Sequence, residues 1–112
     1  MTFFPLFHNT NHLKVLLIGG GNVAKRRVKT LVKAGVSFDL MSICVNDGIT
    51  ELVEKAGGKV TLGAYDCDEV MRGYTFICAL TDNRTVNHQI AVDAKAMGLL
   101  VNVADVPDDG NI

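Results

Sequence analysis

With 112 residues, 48% of them apolar, the chain can bury one core but is too short for two domains of ordinary size. Its formal net charge of −1 provides no overall field that would attract nucleic acid or an anionic membrane. We therefore expect a single domain over residues 1–112, with neither nucleic acid nor a membrane as a partner.

The cysteines and the N-terminal segment bear on the compartment. Residues 1–7 are apolar but lack the basic flank and cleavage site of a signal peptide, and no stretch approaches the ~20 apolar residues of a membrane span. Cys44, Cys67 and Cys78 are odd in number and widely spaced, which fits neither a disulfide framework nor a zinc site. We expect a reduced, cytoplasmic protein without a dedicated metal site, in which Cys78 is a small buried apolar residue.

The first half of the chain predicts two strand and helix units. Residues 14–18 form an apolar run that ends at three glycines, which is typical of a buried parallel strand. From Val23 to Gly35 the pattern is helical, with a predicted apolar face of Ala24, Val28, Leu31 and Val32. Residues 37–43 predict a second strand, and residues 48–56 predict a second helix.

The second half continues the alternation. We expect a third strand over residues 60–62, a brief helix over 66–72 and a fourth strand over 75–79. A helix with apolar residues at 86, 90, 94 and 97 then ends at Gly98, before a fifth strand over 99–103. This pattern predicts an α/β fold, a Rossmann-like doubly wound parallel sheet in the order 3-2-1-4-5. A ligand crevice should open where the order reverses, at the carboxyl ends of strands one and four.

The turn after the first strand has the form of a dinucleotide fingerprint. Its sequence over residues 19–24, GGGNVA, fits the pattern G-x-G-x-x-A. In such a turn Gly19 permits the tight bend, and Gly21 lets the backbone approach a pyrophosphate. The amides of Asn22 and Val23 would then face the phosphates from the positive end of the helix. The other interpretation is a glycine-rich turn that serves packing alone.

The tip of the second strand lacks the acidic residue that normally binds the ribose hydroxyls. Residues 42–44 are Ser-Ile-Cys, while Asp39 lies within the strand and Asp47 lies beyond its tip. Backbone groups near Ile43 and Cys44 would therefore have to hold the adenosine. Because no Arg or Lys follows the strand to bind a 2′-phosphate, the sequence favours NAD over NADP.

Four segments together resemble the siroheme synthase N-terminal family. They are residues 4–7 (FPLF), 19–26 (GGGNVAKR), 81–83 together with 86–87 (TDN and VN) and 101–107 (VNVADVP), and they extend over essentially the whole chain. The glycine turn is common to many families, whereas the other three segments together are specific. The family consists of precorrin-2 dehydrogenases, some of which also act as sirohydrochlorin ferrochelatases.

This resemblance implies NAD-dependent oxidation of precorrin-2, a tetrapyrrole, to sirohydrochlorin in siroheme or cobalamin biosynthesis. In bifunctional members ferrous iron is then inserted. The family's cofactor positions map onto Asn22 and Val23, and onto Ile43 and Cys44. Family members continue into a dimerisation segment and a helical domain that covers the substrate, whereas this chain has Gly-Asn-Ile at residues 110–112. The resemblance thus implies a homodimer for the complete enzyme, and a short chain that can bind NAD without turnover.

The family's candidate general base maps onto Asp105, at the carboxyl end of the fifth strand. Loss of a hydride from the substrate to nicotinamide must be accompanied by loss of a proton, which a positioned carboxylate can accept. The structural alternative is an Asp that forms the turn before Pro107.

Two further features have open interpretations. Thr81 and Asp82 follow the fourth strand, where contacts to nicotinamide or ribose are expected, but Asp82 or Asn83 could equally be a helix N-cap. The first helix carries cations that either attract a polycarboxylate substrate or form a solvated surface: Lys25, Arg26, Arg27, Lys29 and Lys33. The alternative function is a non-catalytic NAD-sensing regulatory module of the same fold, although such modules generally keep the acid that this chain lacks.

Overall fold

The computed structural model describes residues 9–66 and 68–112, without the side chains of Thr10, Asp68 and Glu69. Residues 4–7, which contribute to the resemblance, and Cys67 lie outside this described part. The strands are β1 (Lys14–Ile18), β2 (Ser37–Ser42), β3 (Val60–Leu62), β4 (Phe76–Ala79) and β5 (Leu100–Val103). The helices are α1 (Asn22–Ala34), α2 (Ile49–Lys55) and α3 (Arg84–Ala96), with short 3-10 turns at Thr10–His12, Asp68–Met71 and Pro107–Asp109.

All five strands are parallel and lie in the order β3-β2-β1-β4-β5, which confirms the predicted fold class. β1 is the central strand, with Val15 aligned between Phe38 of β2 and Phe76 of β4. The strand order reverses at β1: β2 and β3 are added on one side of it, and β4 and β5 on the other. The carboxyl ends of these two strands therefore form the expected switch point.

Helices cover the sheet on both faces, and this explains the uninterrupted apolar run of β1. On one face Val15 and Leu17 pack with Val28 of α1 and Val53 of α2. On the other face the alternate residues of β1 pack with α3 and with the 3-10 turn over Asp68–Met71. Because successive side chains of a strand point to opposite faces, a strand buried on both must be apolar throughout.

The predicted elements agree with the structure to within about two residues at most ends, with one error on a helix face. Val32 was expected on the buried face of α1 but is 44% exposed. The fully buried positions of α1 are Ala24 and Val28, with Leu31 half-buried. At about 100° of rotation per residue, Val32 lies about 80° around the helix from Ala24 and about 100° from Leu31, so it falls at the margin of the buried face and turns towards solvent.

The outer edge of β5 is bonded to the end of the chain. The backbone N–H of Asn111 donates to the carbonyl of Val101, at 3.0 Å. The side-chain amide of Asn111 accepts from the Val101 N–H at 2.7 Å and donates to the Leu99 carbonyl at 2.9 Å. One asparagine thus pairs both backbone groups of Val101 in the edge strand and the carbonyl of Leu99, the residue just before the strand.

Within residues 9–66 and 68–112, none of the helices has both the length and the apolar content needed to cross a membrane.

Candidate functional site

A crevice of about 510 Å³ opens at the carboxyl ends of β1 and β4, where the switch point was expected. Its walls come from the glycine turn, the tip of β2, the loop after β3 and the loop between β4 and α3. All eight positions predicted to bind the cofactor line it: Gly19, Gly21, Asn22, Val23, Ile43, Cys44, Thr81 and Asp82. The structure therefore brings together residues that are separated by up to some 60 positions in the sequence.

The three glycines of the turn have different surroundings. A Cβ on Gly19, whose φ is +139°, would lie 2.5 Å from the carbonyl oxygen of Leu80. A Cβ on Gly20 would lie 2.1 Å from the carbonyl oxygen of Cys44. A Cβ on Gly21 would meet no atom within 4 Å. Protein packing therefore requires the first two glycines, whereas the third leaves open space that faces the crevice.

This open space lies in front of the N-terminus of α1. Gly21 is the N-cap residue, and no side chain caps the helix. The first helical hydrogen bond runs from the Lys25 N–H to the Gly21 carbonyl, at 3.0 Å. The N–H groups of Asn22 and Val23 precede that bond and have no intrahelical partner. Backbone donors at the positive end of a helix, beside a glycine with free space, suit the pyrophosphate of a dinucleotide.

The loop after β2 is fastened to this turn. Asn46 donates its backbone N–H to the Gly20 carbonyl at 2.7 Å, and its side chain donates to the Asn22 carboxamide oxygen at 2.9 Å. The Ser42 hydroxyl donates to the Cys44 carbonyl at 2.6 Å. These bonds fix the segment that carries Ile43 and Cys44, whose side chains are exposed to the crevice.

The two acids near the second strand do not contribute to the crevice. Asp39 lies inside β2, where its carboxylate accepts from the Lys59 N–H at 2.8 Å and from the Tyr74 hydroxyl at 2.6 Å. Burial, and then the hydrogen bond and charge of Asp39, raise the pKa of Tyr74 above its ordinary value. Asp47 is exposed, and its carbonyl accepts from the Lys25 ammonium at 3.0 Å. Asp39 lies inside the strand, as predicted, and its bonds make it a structural residue.

Behind the other end of the crevice, a buried asparagine joins β4 to β5. Asn87, which is 1% exposed, accepts from the Thr81 N–H at 3.1 Å and from the Thr81 hydroxyl at 2.5 Å. Its amide nitrogen donates to the Thr81 carbonyl at 2.9 Å and to a carboxylate oxygen of Asp105 at 3.1 Å. Asn87 is thus fully bonded, and it connects the crevice residue Thr81 with Asp105.

Asp105 does not itself line the crevice. It lies just past the end of β5 with an exposed side chain, and its carboxylate is bonded to Asn87. The following 3-10 turn has Val106 as its N-cap residue, without a side-chain capping bond. The Asp105 carboxylate is therefore positioned by its hydrogen bond from Asn87 of α3, and not by the backbone of the turn that follows it.

The residues after β4 divide between two roles. Asn83 is the N-cap of α3, with its side chain accepting from the Val86 N–H at 3.1 Å. Asp82 is exposed and lines the crevice. Of the two candidates for the helix cap, the structure assigns the role to Asn83, and Asp82 is an exposed residue of the crevice wall.

Two residues, Asn46 and Asn87, have no individual role predicted from the sequence, although Asn87 lies in one of the four segments that carry the resemblance. Asn87 could have been noticed because it is polar and lies one residue after Val86 and three before Ile90, on a helix face that is otherwise apolar. A buried polar side chain in such a place needs partners, and these come from two separate strand ends. No comparable signal marks Asn46, whose partners are known only once the fold brings the two loops together.

Among the described side chains, no group of three or more His, Cys, Asp or Glu residues could hold a metal ion. His88 instead lies 3.3 Å from Asp109 at the surface.

The parallel sheet, its switch-point crevice and the uncapped glycine turn define an α/β domain of the dinucleotide-binding class. The chain belongs to an NAD(P)-binding family, because the family model described as "Putative NAD(P)-binding" matches residues 6–112. This membership confirms the predicted class of cofactor.

Individual relatives agree with the resemblance seen in the sequence. Siroheme synthase of Pseudomonas fluorescens strain SBW25 is 38% identical over 107 residues, which is 96% of this chain and 23% of the relative. Siroheme synthase of Chromobacterium violaceum is 36% identical over 105 residues, or 94% of this chain and 22% of that protein. The solved structure titled "SirC, precorrin-2 dehydrogenase" matches with a TM-score of 0.81 and 26% identity, over 98% of this chain and 53% of its own. The chain thus spans about a quarter to a half of the proteins that it matches.

Proposed function

We propose that residues 1–112 form one domain that binds NAD within a precorrin-2 dehydrogenase, which oxidises precorrin-2 to sirohydrochlorin in siroheme or cobalamin biosynthesis. The observation that carries this proposal is the open space at Gly21, in front of the uncapped N-terminus of α1. The names of the relatives, siroheme synthase and precorrin-2 dehydrogenase, support a tetrapyrrole as the substrate.

The crevice suggests how the cofactor would lie. The pyrophosphate would be bound by the amides of Asn22 and Val23, and the adenosine would lie against Ile43 and Cys44. The nicotinamide half would then reach Thr81 and Asp82, at the β4 end. Lys and Arg are absent from the residues that line this crevice, so no described side chain there would neutralise a 2′-phosphate. This supports NAD over NADP.

In the proposed reaction, bound NAD supplies the acceptor for a hydride. Asp105 would accept the proton that the substrate loses, because its carboxylate is exposed and lies beyond β5, next to β4 in the sheet. The amide of Asn87 donates to one oxygen of that carboxylate and fixes its position, so Asn87 is a positioning residue. The second oxygen would be directed at the substrate.

For the complete enzyme we propose three further properties. They are a homodimer, ferrous iron as a substrate for insertion into sirohydrochlorin, and a cytoplasmic location. The coverage of relatives supports additional parts in the complete enzyme, since this chain corresponds to only 53% of the matched precorrin-2 dehydrogenase. The free thiols of Cys44 and Cys78 support a reducing compartment.

Calorimetric titration of the 112-residue chain with NAD and with NADP tests the cofactor assignment. We expect NAD to bind with a dissociation constant below about 1 mM, which corresponds to roughly 4 kcal/mol of binding free energy, and NADP to bind more weakly. Absence of NAD binding at millimolar concentration would reject the proposal.

The role of Asp105 is tested in an enzyme in which this chain is joined to the dimerisation and helical parts of a siroheme synthase relative. We expect Asp105→Ala to slow precorrin-2 oxidation by on the order of 10²-fold or more, the usual contribution of a general base. Asp108→Ala, which removes an exposed acid three residues away, is the matched control and should retain the activity. Full activity of the Asp105 variant, with NAD affinity unchanged, would refute the assignment.

A further inference from the structure

A second cleft lies on the other side of Val23 from the crevice. It has a volume of about 520 Å³ and runs between α1 and the carboxyl end of β5. Arg26, Arg27 and Thr30 form the helix wall, and Asn102 and Ala104 belong to the opposite wall. Val23 borders both spaces. The cleft is therefore adjacent to the crevice at Val23, and Ala104 on its opposite wall immediately precedes Asp105.

The two guanidinium groups of this cleft have no acidic partner in the described part of the chain. Among the described residues the ion pair is that between His88 and Asp109, which lies outside the cleft and involves neither arginine. Arg27 is half-buried, so its charge is partly removed from water without the compensation of a carboxylate. Two unpaired arginines in one concave site favour an anionic ligand, because guanidinium groups bind carboxylates through paired, charge-assisted hydrogen bonds.

The opposite wall contains a polar atom that also lacks a partner. Asn102 is aligned with Cys78 of β4, which packs in the core cluster that includes α1. Its neighbours in β5, Val101 and Val103, are buried in the cluster on the other face. The carboxamide oxygen of Asn102 is buried and, among the described residues, receives no hydrogen bond. A ligand that carries an N–H donor would satisfy it.

We propose that the cleft binds the carboxylate side arms of the tetrapyrrole substrate, with Arg26 and Arg27 as binding residues and Asn102 as the acceptor for an N–H of the macrocycle. This inference rests on the proposed function and adds the site that orients its substrate. A tetrapyrrole from this pathway combines several carboxylates with pyrrole-type N–H groups, which matches both walls. Bound there, it would lie beside Asp105, on the strand next to β4, and adjacent to the crevice at Val23.

Fluorescence titration of the 112-residue chain with uroporphyrin, an octacarboxylate porphyrin, tests the proposal without any turnover. We expect Arg26→Ala/Arg27→Ala to weaken binding of this probe by on the order of tenfold or more, as loss of charge-assisted hydrogen bonds implies. The matched control is Lys29→Ala/Lys33→Ala, which removes the same charge from exposed positions of α1 that do not line the cleft. The control should bind the probe within about twofold of the parent chain.

Titration with NAD in the same three proteins separates this proposal from the previous one. Unchanged NAD affinity in the arginine variant, together with weakened porphyrin binding, supports a separate carboxylate site. Equal weakening in the arginine and lysine variants would show a general attraction to a solvated cationic surface and would overturn the proposal. Absence of porphyrin binding by a parent chain that binds NAD would also overturn it, while loss of NAD binding alone would refute only the cofactor assignment.

Discussion

The consecutive glycines after β1 differ in what surrounds them, and this separates folding from ligand binding at single residues. Gly19 has a positive φ and lies against the backbone of Leu80, whereas Gly21 has an ordinary backbone conformation and an open neighbourhood. Gly21→Ala should therefore leave the fold nearly unchanged while its methyl group occupies the space for the pyrophosphate. We expect NAD affinity to fall at least about tenfold, measured by calorimetry, with the midpoint of urea unfolding almost unaltered.

Gly19→Ala is the companion variant and should behave in the opposite way. Its Cβ would lie 2.5 Å from the Leu80 carbonyl oxygen, so the chain between β1 and β4 must shift. We expect a loss of roughly 2 kcal/mol or more in the free energy of unfolding. Equal stability losses in both variants would contradict the distinction between the two glycines.

Asn87 and Asn102 differ in the same way, because all polar atoms of the Asn87 side chain are hydrogen-bonded, whereas the carboxamide oxygen of Asn102 is not. Asn87→Ala removes the partners of the Thr81 N–H and carbonyl and releases Asp105. We expect the free energy of unfolding to fall by roughly 2–3 kcal/mol, because buried polar groups lose their hydrogen bonds. Chemical denaturation with Asn102→Ala as the control tests this, since the carboxamide oxygen of Asn102 has no partner to lose in the described structure. An equal or larger loss in the control would contradict the argument.

At the scale of helices and strands, the sequence predicted the features that follow from hydrophobic periodicity. It did not predict features that depend on one side chain, such as the exposure of Val32 or the N-cap of α3. The apolar run of β1 and the spacing of Ile90 and Ala94 in α3 report burial directly, because strand and helix periodicity place those residues in the core. The exposure of Val32 could not be read in this way, since it depends on the angular width of the contact between α1 and the sheet. The helix cap after β4 was equally undecided, because Asp82 and Asn83 are both common N-cap residues.

The N-cap of α3 stabilises the helix through the side chain of Asn83. Asn83→Ala removes the acceptor of the Val86 N–H and should reduce the free energy of unfolding by about 1 kcal/mol. Asp82→Ala, one residue earlier, should change stability by less than about 0.5 kcal/mol. Urea denaturation of the two variants side by side measures the difference, and the reverse order would transfer the capping role to Asp82.

At the scale of the whole molecule, the fold and the position of the crevice follow from the alternation of elements, but the contents of the second cleft do not. The cleft exists because the order of the strands brings Arg27 of α1 close to Asn102 of β5. Residues separated by this distance in the sequence share no periodic pattern. The sequence shows the cations of α1, but no sequence feature separates Arg26 and Arg27 from Lys29 and Lys33.

Burial of one thiol in this sheet makes global stability depend on alkaline pH. Burial raises the pKa of Cys78 from its ordinary value of 9.0 to about 12, and the positive charge of Arg27 lowers it only in part. The unfolded chain therefore releases this proton from about pH 9, whereas the folded chain retains it until about pH 12. Stability should fall across this interval by up to about 1.4 kcal/mol per pH unit, because the folded state then binds more protons.

Urea denaturation between pH 8 and pH 9 measures the onset of this slope, because the raised pKa of Tyr74 contributes mainly from near its ordinary value of 10.0 upwards. Cys78→Val should flatten the slope. Cys44→Ser, which replaces an exposed thiol, should leave it unchanged. A slope that is unaltered in the Cys78 variant would contradict the assignment of the effect to this thiol.

The pairing of Asn111 with β5 has a consequence for how separate molecules meet. An edge strand presents unpaired backbone donors and acceptors to any other extended chain, and natural β-sheets have features that prevent such edge-to-edge pairing. Here a carboxamide imitates a peptide group and occupies the positions that a foreign strand would take. Within residues 9–66 and 68–112, a single asparagine thus blocks strand addition at Val101 of β5.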